Sequence, residues 1–261
     1  MFRYTIEQKI HYTLRLAIAM CFIGHGAFGI ITKAIWCNYL AVFGIDHDHA
    51  YRLMPWVGII DILLGVTMLI YPIRAIAIWL IIWGTITALL RPLSGEPFAE
   101  FIERAGNFGA PLVLLAVYGT GQNGKSWFIK LNSNPDIDAS TYFRLGILLR
   151  VMGFCLLLGH GWLNLIEKSS LLNQYSSLGF SNPGMTAHAI GIFEIVSACT
   201  ILVYPIRSVL LIVFIWKILS ELFYPHYELF EWIERGGSYG VLLALWFASK
   251  AIPDREFKLS V

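Results

Sequence analysis

Apolar residues fall into eight windows along the chain, near 12–31, 54–72, 75–92, 105–121, 143–164, 187–204, 207–224 and 236–251, with most of the charge between them. Windows of about 17 to 21 residues suffice to cross a hydrocarbon core of roughly 30 Å at about 1.5 Å per helical residue. Backbone facing lipid must satisfy its polar groups internally, so each window is expected to be a helix.

The pattern is written twice. Gly24-His25-Gly26 returns 135 residues later as Gly159-His160-Gly161, with Arg15 and Arg150 ten residues before each histidine and Lys33 and Lys168 eight after. Asp61, in Gly58-Ile-Ile-Asp61-Ile-Leu-Leu-Gly65, is answered by Glu194 in Gly191-Ile-Phe-Glu194, and Tyr71-Pro72-Ile73-Arg74 by Tyr204-Pro205-Ile206-Arg207. Trp83, Thr87 and Pro92 are answered by Trp216, Ser220 and Pro225, and the stretch from Glu100 to Asn107 by that from Glu231 to Ser238. The expected organisation is a first four-helix repeat over 1–121, a cytoplasmic linker over 122–141 and a second four-helix repeat over 142–261. An even number of helices per unit inserts both in one orientation. The predicted fold is therefore all-α: a polytopic membrane protein with eight transmembrane helices as two parallel four-helix repeats.

Composition agrees with this pattern. With 57% hydrophobic and 14% charged residues and a mean hydropathy of +0.66, the chain is too apolar for an ordinary soluble domain. The first window carries the repeated motif and lacks a small-x-small cleavage pattern, so it is not read as a signal peptide. Cys21, Cys37, Cys155 and Cys199 form no C-x-x-C pair and suggest neither a disulfide framework nor a zinc site. Basic residues concentrate in the loops on the side of both termini, which predicts cytoplasmic termini in a bacterial-type inner membrane. Membrane lipids are the expected surroundings, and a net charge of +2 gives no ground for a nucleic-acid partner.

Depth along the helices brings out the candidate chemistry. His25 lies about two thirds along an outward-running helix and Asp61 about halfway along the inward-running one that follows, so the two are expected at comparable depth; His160 and Glu194 repeat the arrangement. Ionisable groups in hydrocarbon cost about 2.5 to 3.5 kcal/mol each, and a histidine sharing a proton with a carboxylate lowers that cost. Such a pair suits proton exchange with a quinone; the competing reading is an interhelical hydrogen bond, with the flanking glycines permitting close packing. A polar pocket is expected in each repeat, built from Thr87 and Asn107 or Ser220 and Ser238 and rimmed by Lys33 and Arg104 or Lys168 and Arg235. Haem held between His25 and His160 is the weaker reading, and the cofactor stays open. The Glu-x-x-Glu-Arg segments at Glu100 and Glu231 are read as solvated helix faces, Asp46-His47-Asp48-His49 as a hydrated loop before a helix starting near Pro55, and Arg15 and Arg150 as residues that snorkel or cap.

A first helix ending in His-Gly, followed by a helix of the form Gly-x-x-(Asp/Glu)-x-x-x-Gly, resembles the DoxX-like membrane proteins, here as two tandem copies. The resemblance implies a four-helix unit with quinone or redox association. The functional expectation is a quinone-associated or redox-accessory subunit in which His25, Asp61, His160 and Glu194 handle protons. No flavin, nucleotide or iron-sulfur motif is present, so electrons would come from a partner redox enzyme subunit. The alternative is a non-catalytic transporter, scaffold or assembly factor binding a small or lipidic ligand.

Overall fold

The computed structural model describes residues 4–119, 121, 124–135, 137–222 and 228–250. Among these, regular structure is helical apart from one isolated bridge between Ile73 and Lys130. The elements are α1 (Ile6–Ile30), α2 (Trp36–Ala41), α3 (His47–Ile70), α4 (Arg74–Leu93), α5 (Ala99–Glu103) and α6 (Ala105–Tyr118). After a 3-10 turn at Gly124–Phe128 come α7 (Ala139–Leu165), α8 (Ser169–Ser177), α9 (Pro183–Val203), α10 (Arg207–Leu222), α11 (Leu229–Glu234) and α12 (Gly236–Ala248). The order of long and short helices before the linker recurs after it.

Five helices, α1, α3, α4, α7 and α9, are long and apolar enough to cross a membrane. The windows near 105–121 and 236–251 form helices of only 14 and 13 residues, which begin directly after the turns at Arg104 and Arg235 and end at Tyr118 and Ala248. The window near 207–224 runs past the last described residue of α10, and Pro225 lies outside the described residues. Large apolar side chains such as Ile60, Leu63 and Ile70 on α3, Trp79 and Ile82 on α4, and Ile192, Val196 and Val203 on α9 are exposed. Continuous outward apolar faces of this kind suit lipid rather than water.

Local chemistry sets the helix ends. Thr5 and Gln8 form a capping box at α1, and Asp138 caps α7 by accepting from the Thr141 backbone N–H at 2.8 Å. The Asp46-His47-Asp48-His49 string is not a loop: Asp46 accepts from the His49 N–H at 3.0 Å, and α3 starts at His47, ahead of Pro55. Arg15 does not reach out to the surface. It is buried on α1 and donates to the Met68 and Leu69 carbonyls, closing the C-terminal end of α3.

Packing joins the two halves closely. α1 lies along α3, and α7 along α9; across the middle α1 packs on α11 and α12, while α7 packs on α5 and α6. α6 crosses α12 where Gly106 meets Gly237: a Cβ on Gly106 would lie 2.6 Å from the Ser238 nitrogen, and one on Gly237 2.5 Å from the Gly106 oxygen. The main core, with Leu14, Ile18, Leu114, Leu149, Leu156 and Leu242, runs through this junction.

Candidate functional site

Both glycines beside His25 are points of helix contact, and each faces a different helix. A Cβ on Gly26 would lie 2.5 Å from the Gly58 oxygen of α3, and one on Gly24 2.3 Å from the Glu234 nitrogen of α11. Gly58 and Gly65 lie one turn to either side of Asp61 on the same face of α3, so this face closes onto α1. Buried Asp61 then meets His25, with Nδ1 to Oδ2 at 2.7 Å. With the Nδ1 proton assigned from this contact, Nε2 is left as an acceptor; His25 lines a cavity, and no other hydrogen bond to its ring is found among the described residues. Trp36 covers the imidazole, ring centroids 4.6 Å apart.

The cavity holds about 410 Å³. Its lining from the first half includes His25, Phe28, Trp36, Trp83, Thr87, Ala88 and Asn107. Its rim comes from both halves, including Lys33, Arg91, Glu100 and Arg104 with Lys168, Ser170, Glu231 and Arg235. The lysines are placed by matching helix ends. Thr32 (φ 53) and Glu167 (φ 54) adopt left-handed backbone, so that the Lys33 and Lys168 N–H groups turn back onto the Phe28 and Leu163 carbonyls.

Charge in the rim is paired across the halves. Lys33 meets Glu231, Lys168 meets Glu100 at 2.5 Å, and Arg235 meets Glu103. Arg104 lies between Glu100 (2.5 Å) and Glu103 (2.9 Å), and Arg91 reaches Glu96 at 3.2 Å beside the Tyr39 hydroxyl. The Glu-x-x-Glu-Arg segments are therefore not solvated faces. Glu100, Glu103, Glu231 and Glu234 are all buried, because α5 packs on α7 and α11 on α1. Burial acts to raise the Glu103 carboxyl, but the Arg235 and Arg104 guanidiniums outweigh it and hold the group well below the usual carboxylate range.

The second half keeps the histidine pair and lacks the space. Buried His160 bonds through Nδ1 to Glu194, which also accepts from Trp216 Nε1 at 3.0 Å. His160 Nε2 faces Glu221 Oε1 at 3.9 Å; Glu221 in turn binds Lys217 at 2.6 Å and Arg235 Nε at 2.9 Å. Lys217 and Glu221 occupy the positions that Gly84 and Ala88 hold 133 residues earlier. The space beside His160, lined by Glu103, His160, Leu163, Lys168, Leu171 and Arg235, has no room for a water, whereas the cavity beside His25 is roomy. Glu103, His160 and Glu221 bring ligand atoms within 4.8 Å of one another, a spacing that could hold a metal, but Lys217 and Arg235 already neutralise the carboxylates.

Of the sequence candidates, His25, Lys33, Thr87, Arg104, Asn107, Lys168 and Arg235 line the roomy cavity, and Asp61 lies behind His25. His160 and Glu194 meet each other outside it. Ser220 donates its hydroxyl to the Lys217 carbonyl at 3.3 Å and Ser238 is buried at the α6–α12 crossing; neither is among the residues lining this cavity. The sequence reading missed Lys217 and Glu221, although two opposite charges four residues apart in an apolar helix were the available signal. It also left out Trp36 and Trp83. The Trp83 indole nitrogen is buried with no hydrogen-bond partner among the described residues, whereas its counterpart Trp216 donates to Glu194. Comparison with protein-family models, curated proteins and solved structures returns no match.

Proposed function

We propose that this chain is a bacterial-type inner-membrane protein of DoxX-like character that binds a quinone in the first-half cavity, as a quinone-associated or redox-accessory subunit. In this reading eight helices cross the bilayer as two parallel four-helix units, residues 1–121 and 142–261, with both termini cytoplasmic. The five long apolar helices and the recurring order of elements support the reading.

One observation carries the functional part: His25 is anchored through Nδ1 on buried Asp61 and lines a cavity with an aromatic wall. An apolar, concave site with a few convergent polar groups is the usual form of a small-molecule site. Once protonated at Nε2, His25 is a donor, and the unpartnered Trp83 Nε1–H is another, so a flat ring with carbonyl oxygens fits the groups present. A bound quinone would supply the two-electron redox chemistry, with electrons delivered by a partner enzyme. His25 exchanges the proton at Nε2, Asp61 stabilises the imidazolium, and Trp36 holds the ring plane. His160 and Glu194, closed in by Lys217 and Glu221, act in packing.

The test is solvent extraction of the purified protein followed by an absorption spectrum. A quinone spectrum is expected, lost on His25→Ala and retained in a folded His160→Gln variant. A colourless lipid in its place would favour the transporter or scaffold alternative. Absence of quinone, together with unchanged quinone-dependent activity of native membranes after His25→Ala, would overturn the proposal.

A further inference from the structure

The two short acidic helices carry equivalent glutamates, and only one of the two is paired. Glu103 of α5 lies 2.9 Å from Arg104 and also meets Arg235. Its counterpart 131 residues on, Glu234 of α11, is 7% exposed and lines the cavity, yet its carboxylate has neither an ion pair nor a hydrogen bond among the described residues. The nearby guanidiniums are engaged elsewhere: Arg104 also holds Glu100 at 2.5 Å, and Arg235 also holds Glu221 at 2.9 Å. The Glu234 oxygens are not walled in, so they open on the cavity that the residue lines. Asn107, 8% exposed on the same cavity, likewise has no hydrogen bond to its side-chain amide among the described residues. Burial acts to raise the Glu234 carboxyl, but His25, Arg104 and Arg91 outweigh it at longer range and hold the group below the usual carboxylate range. An ionised carboxylate accepts hydrogen bonds and donates none.

A buried charge without a partner is costly, and a ligand that brings a donor offsets the cost. We infer that the cavity takes a neutral aromatic molecule whose hydroxyl donates to Glu234, and so holds the quinol form of a quinone in preference to the oxidised form. A quinone ring carries only acceptors, and a carbonyl oxygen set against Glu234 would leave the carboxylate unpaired. A quinol hydroxyl pairs it, in a charge-assisted bond stronger than a neutral one. The lining also argues against a cation, because Lys33, Arg91, Arg104, Lys168 and Arg235 outnumber Glu96, Glu100, Glu231 and Glu234. Holding the quinol more tightly favours reduction of the bound quinone by the partner enzyme. The inference rests on the cavity being a ligand site, as in the preceding reading, and deepens that reading by naming the redox form.

Two matched pairs of probes separate the claims, measured by equilibrium dialysis against the full-length protein in nanodiscs, with uptake by lipid-only nanodiscs subtracted. One pair is 2-naphthol and 2-methoxynaphthalene; the other is 2,3-dimethyl-1,4-naphthoquinone and its quinol, kept reduced under anaerobic conditions. The hydroxyl-bearing member of each pair is expected to bind about tenfold more tightly, the difference that one hydrogen bond to a charged group makes. Glu234→Gln, whose amide both donates and accepts, is expected to erase the preference, and Glu234→Asp, which keeps the charge, to retain it. Equal affinity within both pairs, or tighter binding of the quinone than of the quinol, overturns the donor inference and leaves the quinone reading standing. Selective binding of naphthol with no binding of quinone or quinol sustains the donor to Glu234 and overturns the quinone reading. A preference that survives Glu234→Gln overturns the assignment to this carboxylate, and tighter binding of the cationic 2-naphthylmethylamine than of naphthol overturns the choice of a neutral ligand. Failure of every probe overturns both readings.

Discussion

The backbone nitrogen of Glu234 lies so close to Gly24 that a Cβ there would come within 2.3 Å of it, and the Glu103 nitrogen stands in the same relation to Gly159. Each contact presses a short acidic helix of one half onto the histidine helix of the other. Gly24→Ala or Gly159→Ala must therefore push α11 or α5 outward. Each is expected to cost about 1 to 3 kcal/mol or more, as overpacked interiors do, and to lower the thermal midpoint in detergent. An unchanged midpoint for both would refute this account of the half-to-half contact.

The two histidine pairs should respond differently to substitution. His160→Ala strips a partner from buried Glu194 and is expected to destabilise by about 3 to 5 kcal/mol. His25 borders a cavity that water can enter, so His25→Ala should cost less stability and more ligand binding. Denaturant titrations of the two variants, set beside probe binding, check the contrast. Equal stability losses would show that the first pair is as structural as the second.

Lys217 and Glu221 form a buried pair in an apolar helix, 2.6 Å apart. Lys217→Met leaves the Glu221 carboxylate with Arg235 at 2.9 Å and His160 at 3.9 Å and should destabilise strongly, by about 3 to 5 kcal/mol. Lys217→Met combined with Glu221→Leu is expected to recover much of that loss, because both desolvation costs disappear together. A double-mutant cycle measures the coupling; additive losses would mean that the pair is not acting as a unit.

Acid should loosen the ion pairs between the halves only at low pH. The Glu103 carboxyl is held below its unfolded value, so its stabilising contribution is complete above that value, about 4.3, and is lost as pH falls through the lower folded value. The thermal midpoint is expected to show no Glu103-dependent change between pH 7 and about 5 and to fall below about 4. Glu103→Gln should lower the midpoint at pH 7 and blunt the acid limb. A Glu103-dependent fall between pH 7 and 5 would contradict the assignment.

Several features were legible in the sequence because they follow from local geometry. Thirty-six residues and one reversal of direction separate His25 from Asp61, and the rise per helical residue brings both to one depth. The glycines in Gly24-His25-Gly26 and around Asp61 announced close packing, since only residues without a Cβ permit it. The N-cap role of Asp46 is equally local, and Pro55, which invites a later helix start, lies inside the helix instead.

The fate of the Glu-x-x-Glu-Arg segments was not local. Whether Glu103 faces water or Arg235 depends on α5 settling against α7, across a separation of 132 residues, and a single amphipathic turn reads the same in either case. That only one of the two expected pockets is roomy likewise depends on which side chains occupy equivalent space. By itself the sequence determined a chain of apolar helices, the duplicated motif and the pairing of a histidine with a carboxylate in each half, because periodicity and helix length are properties of single segments. Only the tertiary structure decided that Gly24 faces the opposite half, that the acidic helices are buried between the halves, and that Lys217 and Glu221 close one histidine while Ala88 leaves the other beside open space, because packing volume and charge pairing belong to groups that meet only once the chain has folded.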